Sequence, residues 1–225
     1  MTILKLGIDD AGRGPVIGPL VLAGCLINED QEKEFRKLGI KDSKELTPKR
    51  REFLAEIIKK TAENFDVAII TPSEIDGDDN GERIKLNELE AIACAKIINN
   101  INKGQEKIRV ILDCPSPSIS KWRDFLKTNI ENLSNLEIIC EHKADKNHIA
   151  VSAASILAKE FREAEMKIIK EKYGDNIGSG YPSDPLTQKF LEKYAKKYEK
   201  DGIFRKTWDT WQRASNSLGQ KKLNF

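Results

Sequence analysis

Alternating hydrophobic and polar residues at the start of the chain predict a β-strand. Leu4, Leu6 and Ile8 are separated by Lys5 and Gly7, and the run leads directly into two aspartates. The apolar stretch at residues 18–27 follows a glycine-rich turn and predicts a second, buried strand. Further strands are predicted at residues 65–70, 107–113 and 136–140.

Apolar residues at helical spacing predict helices between and after these strands. Thr47 followed by Pro48, and Asp184 followed by Pro185, are typical of a helix N-cap and the first helical position. The helix that begins at Pro48 would have one apolar face, formed by Phe53, Leu54, Ile57 and Ile58. Other helices are predicted at residues 82–100, after residues 116–117, and at residues 149–169.

The order of these elements favours an α/β fold. Strands come first, helices and strands then alternate, and helices end the chain, which predicts a sheet flanked by helices with a helical C-terminal extension. We expect one domain over residues 1–225, of which about 183–225 form the extension.

Basic residues are concentrated in that extension. From Leu186 onward ten Lys and Arg stand against four Asp and Glu, a balance of +6, and because the whole chain carries +2 the preceding residues carry −4. A basic tail after an acidic body could bind a polyanion while the body binds metal cations. The alternative is a solvated helix rich in lysine.

The sequence contains no apolar run long enough to span a bilayer, and its first residues do not have the pattern of a signal peptide. The four cysteines are far apart and form no CxxC pair, so we interpret them as reduced and structural. We therefore expect a cytoplasmic protein that does not associate with membranes.

Acidic residues follow two of the predicted strands and precede a long helix. Asp9 and Asp10 end the first strand, Asp113 ends a later one, and Asp145 precedes the helix at 149–169. If the two strands are parallel neighbours, their carboxylates converge, and crowded carboxylates favour Mg²⁺ or Mn²⁺. Neighbouring strand residues face opposite sides, so a glycine turn would be needed to bring Asp10 round. The alternative is that these aspartates are turn formers, helix caps or solvated charges.

Other polar residues are candidates for substrate binding. Gly12-Arg13-Gly14 lacks the lysine and hydroxyl of a P-loop but exposes backbone amides and a guanidinium that suit a closely approached sugar or phosphate. Lys44 and Lys143 could bind phosphate, and Tyr181 could stack on a base or sugar. A plain tight turn, solvated lysines and a packed loop tyrosine are the alternatives.

Taken together, these segments resemble the ribonuclease HII family, the type 2 ribonuclease H enzymes, in an archaeal-like form. The segments that carry the resemblance are GIDDAGRGPVIGPLV at 7–21, KDSKELT at 41–47, ILDCPSPS around Asp113, KADKNHIAVSAASILAKEFRE from Lys143, GSGYPSD around Tyr181 and RKTW at 205–208. They follow the family order and cover nearly the whole chain.

The resemblance implies a ribonuclease H-like mixed sheet and an endonuclease that cuts the RNA strand of RNA–DNA hybrids and single ribonucleotides in duplex DNA. It implies two-metal-ion catalysis with Mg²⁺ or Mn²⁺, giving 5′-phosphate and 3′-hydroxyl ends. The family's catalytic and metal-binding positions match Asp9, Asp10, Asp113 and Asp145. Its substrate-binding positions match Gly12, Arg13, Gly14, Lys44 and Tyr181, and Lys143 is a further candidate.

One residue departs from the family pattern, because Asp10 stands where the family usually has glutamate. The carboxylate is one methylene shorter, so the metal geometry must adjust. A catalytically impaired hybrid-binding protein is therefore one alternative function, and an ATPase of the actin-like or sugar-kinase type is another. We expect a monomer, and the ending LGQKKLNF raises the hypothesis of a sliding-clamp partner.

Overall fold

The computed structural model describes residues 4–40, 46–77 and 83–220, with side chains to residue 217. The strands are β1 (Leu4–Ala11), β2 (Leu20–Ile27), β3 (Asn64–Ile70), β4 (Ile108–Asp113) and β5 (Leu136–Glu141). The helices are α1 (Glu29–Lys37), α2 (Pro48–Thr61), α3 (Pro72–Asp76), α4 (Leu86–Ile101), α5 (Ile119–Thr128), α6 (Ala144–Asn147), α7 (Ile149–Tyr173), α8 (Pro185–Tyr194) and α9 (Asp209–Gln220). A 3₁₀ turn, Asp175–Ile177, lies between α7 and α8.

The five strands form one mixed sheet in the order β3-β2-β1-β4-β5. β1 is antiparallel to β2 but parallel to β4, and β4 is parallel to β5. The parallel register pairs Ile8 with Leu112, so β1 and β4 end side by side. The mixed α/β sheet predicted from the sequence is confirmed.

The centre of β1 lies unusually close to the start of α7. A β-carbon at Gly7 would lie 2.1 Å from the backbone carbonyl carbon of Ala150, a distance that no real side chain tolerates. Glycine at this position therefore lets the helix backbone pack directly on the strand.

The predicted helix starts are confirmed by their capping hydrogen bonds. The Thr47 hydroxyl accepts from the Arg50 amide at 3.3 Å at the start of α2, and Asp184 accepts from the Leu186 amide at 2.9 Å at the start of α8. Leu54 and Ile58 of the predicted apolar face of α2 are buried, but Phe53 is not. Its side chain is 53% exposed and lies under the Arg50 guanidinium, which makes a cation–π contact 5.1 Å from the ring centre.

The sequence pattern did not predict α1. This helix is mostly charged and buries only Phe35, so it has almost no apolar periodicity. Its start is defined by a capping box, in which Asn28 accepts from the Gln31 amide and the Gln31 side chain accepts from the Asn28 amide.

The chain divides into two compact units. The first unit comprises Met1–Ala11, Val21–Ala68 and Lys85–Phe161, and the second comprises Gly12–Leu20, Ile69–Ile84 and Arg162–Phe225. The single domain expected from the sequence remains a prediction.

Each unit has its own hydrophobic core. In the first unit, Cys25 and Ile27 of β2 pack with Phe35, Leu54 and the alanine-rich start of α7. This alanine-rich segment suits close packing on the sheet.

The core of the second unit is aromatic. It joins Phe190, Phe204 and Trp211 to Val16 and Ile17. The basic helical extension predicted from the sequence supplies much of this core through α8 and α9.

All four cysteines are free thiols, as expected. Within residues 4–40, 46–77 and 83–220, no helix combines the length and apolar character needed to cross a membrane.

Candidate active site

Three of the four predicted carboxylate residues lie together in the first unit. Asp9 and Asp10 of β1 and Asp113 of β4 line one small cavity, because the parallel pairing of these strands brings their carboxyl ends side by side. The predicted convergence is therefore observed, although the residues are far apart along the chain. Active sites of α/β sheets gather at this end of the strands.

Asp9 is buried and is held by neutral donors. Its Oδ1 accepts from the Asp10 amide at 2.8 Å, and its carboxylate also accepts from the Ser155 hydroxyl of α7. Burial, together with the charges of Asp10 and Asp113, raises the pKa of Asp9 from 3.8 to about 8 despite these hydrogen bonds. A bound cation would reverse this balance by favouring the charged carboxylate.

Asp9 and Asp10 are neighbours on a strand, and the sequence offers the glycine turn at Gly12 and Gly14 as a means to bring Asp10 round to the side of Asp9. The structure differs, because β1 continues regularly through Ala11 and both aspartates line the cavity. Asp9 Oδ1 accepts from the Asp10 amide, and both aspartates line the cavity without a turn between them.

Asp113 is oriented by the backbone of a tight turn after β5. Its Oδ1 accepts from the amides of Lys143 at 2.7 Å and Ala144 at 3.4 Å. Lys143 has a φ of +60°, and within the described residues no other non-glycine residue has a positive φ. Such a conformation is strained for a lysine, and it is typical of functional sites. The Lys143 side chain is exposed.

Asp145 lies in the same turn region, on the short helix α6, and is buried. The Ser152 hydroxyl of α7 donates to its backbone carbonyl at 2.6 Å. Within the described residues, the lining of the cavity formed by Asp9, Asp10 and Asp113 does not include Asp145. The structure thus places Asp145 next to the residues that orient Asp113.

Glu90 is a fourth acidic residue of the cavity that was not predicted from the sequence. It lies on α4, is almost fully buried and lines the cavity beside Cys94. A signal was present, because Glu90 occupies the helical face that continues through Cys94, Ile97 and Ile101, all buried.

These carboxylates fit a hard divalent cation by their chemistry. Within the described part of the chain, no group of three His, Cys, Asp or Glu side chains is arranged to hold a metal ion by itself. Mg²⁺, however, is usually bound by one or two carboxylates, with water and substrate phosphate oxygens completing its coordination. Asp9, Asp10 and Asp113 supply such a partial set.

The Gly12-Arg13-Gly14 turn belongs to the second unit. Gly12 has a φ of +88°, and a β-carbon there would lie 2.4 Å from Cδ and Nε of Arg162, so both conformation and space require glycine. Gly14 is exposed, and its β-carbon position lies 3.7 Å from the Tyr181 ring. The turn and the predicted stacking residue are thus adjacent.

Arg162 supports both of these groups and was not singled out from the sequence. Its guanidinium lies 5.2 Å from the centre of the Tyr181 ring and donates to the Ser179 carbonyl at 3.2 Å. The side chain is buried, and this burial lowers the pKa of Arg162. Tyr181 remains 39% exposed, so its outer face is open to solvent.

Lys44, the remaining predicted substrate-binding residue, lies outside the described residues, as does the rest of the segment 41–45.

A comparison with protein families identifies the chain. The family described as ribonuclease HII matches residues 6–211. The chain belongs to the ribonuclease HII family. The resemblance found in the sequence is therefore confirmed, and the ATPase alternative is excluded. The family consists of type 2 ribonuclease H endonucleases, and ribonucleases H depend on divalent metal ions.

Relatives and solved structures agree with this assignment. Ribonuclease HII of Methanocaldococcus jannaschii is 42% identical over 234 residues, covering 98% of this chain and 99% of the relative. The crystal structure of ribonuclease H2 from Pyrococcus horikoshii OT3 superposes with a TM-score of 0.85 at 37% identity, covering 97% of this chain and all of that one. The ribonuclease HII of Archaeoglobus fulgidus, solved in complex with PCNA, gives a TM-score of 0.78 at 37% identity, with 92% and 96% covered. These similarities confirm the ribonuclease H-like mixed fold.

Proposed function

We propose that this protein hydrolyses the RNA strand of RNA–DNA hybrids and cuts duplex DNA at single embedded ribonucleotides. The observation that supports the proposal most directly is the cavity lined by Asp9, Asp10 and Asp113 at the ends of two parallel strands. It occurs in a chain that matches the ribonuclease HII family over residues 6–211.

The carboxylates of Asp9, Asp10, Asp113 and Asp145 would hold two divalent ions in this mechanism. Such ions, when bound, activate a water molecule for in-line attack and stabilise the leaving 3′-oxygen, which gives 5′-phosphate and 3′-hydroxyl ends. The chain's own donors keep the carboxylates in place. Ser155 holds Asp9, and the amides of residues 143–144 hold Asp113.

Substrate selection would use the Gly12-Arg13-Gly14 turn, Tyr181 and basic residues. The Gly12-Arg13-Gly14 turn, which is exposed at Gly14, suits hydrogen bonding to a ribose 2′-hydroxyl, the group that distinguishes RNA from DNA at a given position. Tyr181, open on one face, suits stacking on the neighbouring sugar. Lys44, Lys143 and the basic helix α8 would contact phosphates, so affinity would fall as salt rises.

The test uses a 5′-labelled DNA duplex with one internal ribonucleotide beside an all-DNA duplex, with Mg²⁺ or Mn²⁺. We expect a single cut on the 5′ side of the ribonucleotide by the wild type, and no cut in the all-DNA duplex. Asp113→Asn should abolish the cut. Asp124→Asn neutralises an exposed acid on α5 and should leave cleavage unchanged.

Binding of the duplex without cleavage would point to a different function. Tight binding of the duplex without cleavage in either metal would contradict the proposal and favour the catalytically impaired hybrid-binding protein. Asp10→Glu, which introduces the residue usual in the family, would then show whether the shorter side chain is the cause.

We also propose that the C-terminal residues 220–225 contact a sliding clamp. The support is the order of Gln, Leu and Phe in this segment and the similarity to the Archaeoglobus fulgidus protein solved with PCNA. Residues 221–225 lie outside the described part of the chain. Deleting residues 220–225 should abolish affinity for a PCNA-type clamp, whereas replacing Lys221 and Lys222 by alanine should preserve it. Equal clamp affinity with and without the segment would contradict the proposal.

A further inference from the structure

Arg205 is fully buried in the second unit, and its guanidinium binds the backbone around the glycine turn. Nη2 donates to the carbonyl of Gly12 at 2.6 Å, Nη1 to that of Arg13 at 2.8 Å, and Nε to that of Gly18 at 3.1 Å. The planar guanidinium offers its donors in a fixed arrangement, which fits three carbonyls at once. A lysine ammonium at the same place could not reproduce this geometry.

These bonds determine where the amides of the turn point. In a trans peptide the C=O and N–H groups point in opposite directions, and the described residues contain no cis peptide. Because Arg205 draws the carbonyls of Gly12 and Arg13 inward, the amides of Arg13 and Gly14 point away from it. Gly14 is exposed and lies against the Tyr181 ring, so this is the side from which a sugar can approach.

Arg205 is itself firmly held. Its amide donates to the Val16 carbonyl at 2.9 Å, and the Trp208 ring lies 5.2 Å from its guanidinium. On its C-terminal side, Asp76 accepts from the amides of Lys206 at 2.7 Å and Thr207 at 3.0 Å. The guanidinium is therefore anchored on both sides, as a rigid support for the turn requires.

We propose that Arg205 is a positioning residue for recognition of the ribose 2′-hydroxyl. It acts through the carbonyls of Gly12 and Arg13, and thereby holds the amides of Arg13 and Gly14 in the orientation that a hydroxyl needs. This role rests on the proposed function, because it assigns a device for ribose selectivity to the same turn.

The test compares affinity for two duplexes in an Asp113→Asn background, which prevents cleavage. One duplex contains a single ribonucleotide and the other contains only deoxyribose. The ratio of the two dissociation constants is the readout, because damage to phosphate contacts or to the general fold weakens both complexes alike. We expect Arg205→Lys to reduce this ratio about tenfold while affinity for the all-DNA duplex stays within twofold.

Two controls separate orientation from general stability. Arg213→Lys makes the same substitution at an exposed position of α9 and should leave the ratio unchanged. Arg205→Gly should lose ribose preference, and added methylguanidinium should restore it, whereas methylammonium should not. Thermal unfolding of each variant is followed in parallel.

Asp76→Asn is a second variant for the case in which the Arg205 variants do not fold. It weakens the anchor of the segment without removing the guanidinium, and we expect about a threefold loss of ribose preference. An unchanged ratio in folded Arg205→Lys or Asp76→Asn overturns the role of Arg205 alone. A wild-type protein that binds both duplexes equally overturns the proposed function and this role with it.

Discussion

The two polar centres of the molecule are held together in opposite ways. In the first unit, acidic side chains are oriented by neutral donors, such as the Ser155 hydroxyl at Asp9 and the Lys143 amide at Asp113. In the second unit, neutral backbone carbonyls are oriented by the buried cation of Arg205. The first arrangement leaves negative charge crowded and favours an added cation, whereas the second is complete within the protein.

This difference predicts that the first centre reduces the stability of the metal-free protein and the second increases it. Buried acids without a cation favour the unfolded state, in which they are solvated. A buried guanidinium that satisfies several carbonyls stabilises the turn that they belong to. Substitutions in the two centres should therefore change stability in opposite directions.

The largest effect is expected for Asp9→Asn. Cleavage should fall on the order of 10³-fold, because a carboxylate of the site is lost. Metal-free stability should nevertheless rise at pH 8 by roughly 1–3 kcal/mol. The pKa of Asp9 in the folded protein, about 8, exceeds its ordinary value of 3.8, so the metal-free wild type loses stability as pH rises between these values.

Thermal unfolding of both proteins in EDTA at pH 4 and pH 8 measures this effect. The gain should be small at pH 4, because the folded carboxyl is protonated there and pH 4 lies only just above the ordinary pKa of 3.8, so little stability has yet been lost. Added Mg²⁺ should stabilise only the wild type. Asp124→Asn is the control for loss of an exposed negative charge. A metal-free Asp9→Asn protein that is less stable than the wild type at pH 8 would contradict the prediction that the first centre reduces the stability of the metal-free protein.

The next largest effect is expected for Gly12→Ala, which disrupts the second centre. Alanine would have to adopt the φ of +88° that glycine has at this position, which is strained for a residue with a β-carbon. That β-carbon would also lie 2.4 Å from the Arg162 side chain. We expect the free energy of unfolding to fall by about 3 kcal/mol or more, with loss of duplex affinity.

Gly39→Ala is a matched control for the backbone strain. Gly39 has a φ of +79°, but no atom lies within 4 Å of its β-carbon position, so only about 1 kcal/mol should be lost. Chemical denaturation of both variants gives the difference that belongs to the close contacts of Gly12 with Arg162 and with the Pro19 carbonyl oxygen, which lies 2.9 Å from the β-carbon position. If both variants lose the same free energy of unfolding, close packing at Gly12 does not contribute to stability.

A tenfold change in kcat is expected from a substitution at Lys143 that disturbs its backbone, because the backbone and the side chain of this residue have separate roles. Lys143→Gly permits the same φ of +60° and should preserve kcat while raising KM a few-fold at low salt. Lys143→Val disfavours that conformation and should lower kcat about tenfold, because the amides that hold Asp113 move. Steady-state kinetics of the two variants distinguish these roles. A similar kcat in both would exclude the proposed function of the turn.

The smallest effect is expected for Ser155→Ala. Loss of its hydroxyl bond to Asp9 should weaken metal binding about threefold, measured by calorimetric titration of Mn²⁺. Ser152→Ala is a matched control on the same helix, because the Ser152 hydroxyl donates to a backbone carbonyl instead. If both variants lose the same affinity for Mn²⁺, the hydrogen bond from Ser155 to the Asp9 carboxylate does not contribute to metal binding.

The sequence predicted the parts of the structure that depend on local chemistry. The strand end at Asp113 and the helix starts at Pro48 and Pro185 follow from alternation and capping preferences that act over a few residues, whereas β1 continues past Asp9 to Ala11. The convergence of the two aspartates followed from one further rule, that strands of an α/β sheet bind ligands at their carboxyl ends.

The residues that the sequence did not reveal depend on distant contacts. The residue type alone predicts that Arg162 and Arg205 are exposed, as most arginines are. Both are buried, because backbone carbonyls and aromatic rings that are distant in sequence surround them. Phe53 shows the reverse case, because an apolar residue on the expected face remained exposed beside Arg50. Hydropathy describes a residue by itself and contains no information on such partners.

The hydrogen bonds that the Arg205 guanidinium makes to the glycine turn can form only late in the synthesis of this segment. These hydrogen bonds join residues that are 187 to 193 positions apart, so the turn leaves the ribosome long before its arginine. Closing so long a loop is among the slower steps of folding. A nascent or truncated chain that ends before Arg205 would possess every aspartate of the proposed site but lack the hydrogen bonds that hold the glycine turn. The proposed ribose preference would therefore be acquired only after Arg205 has been synthesised.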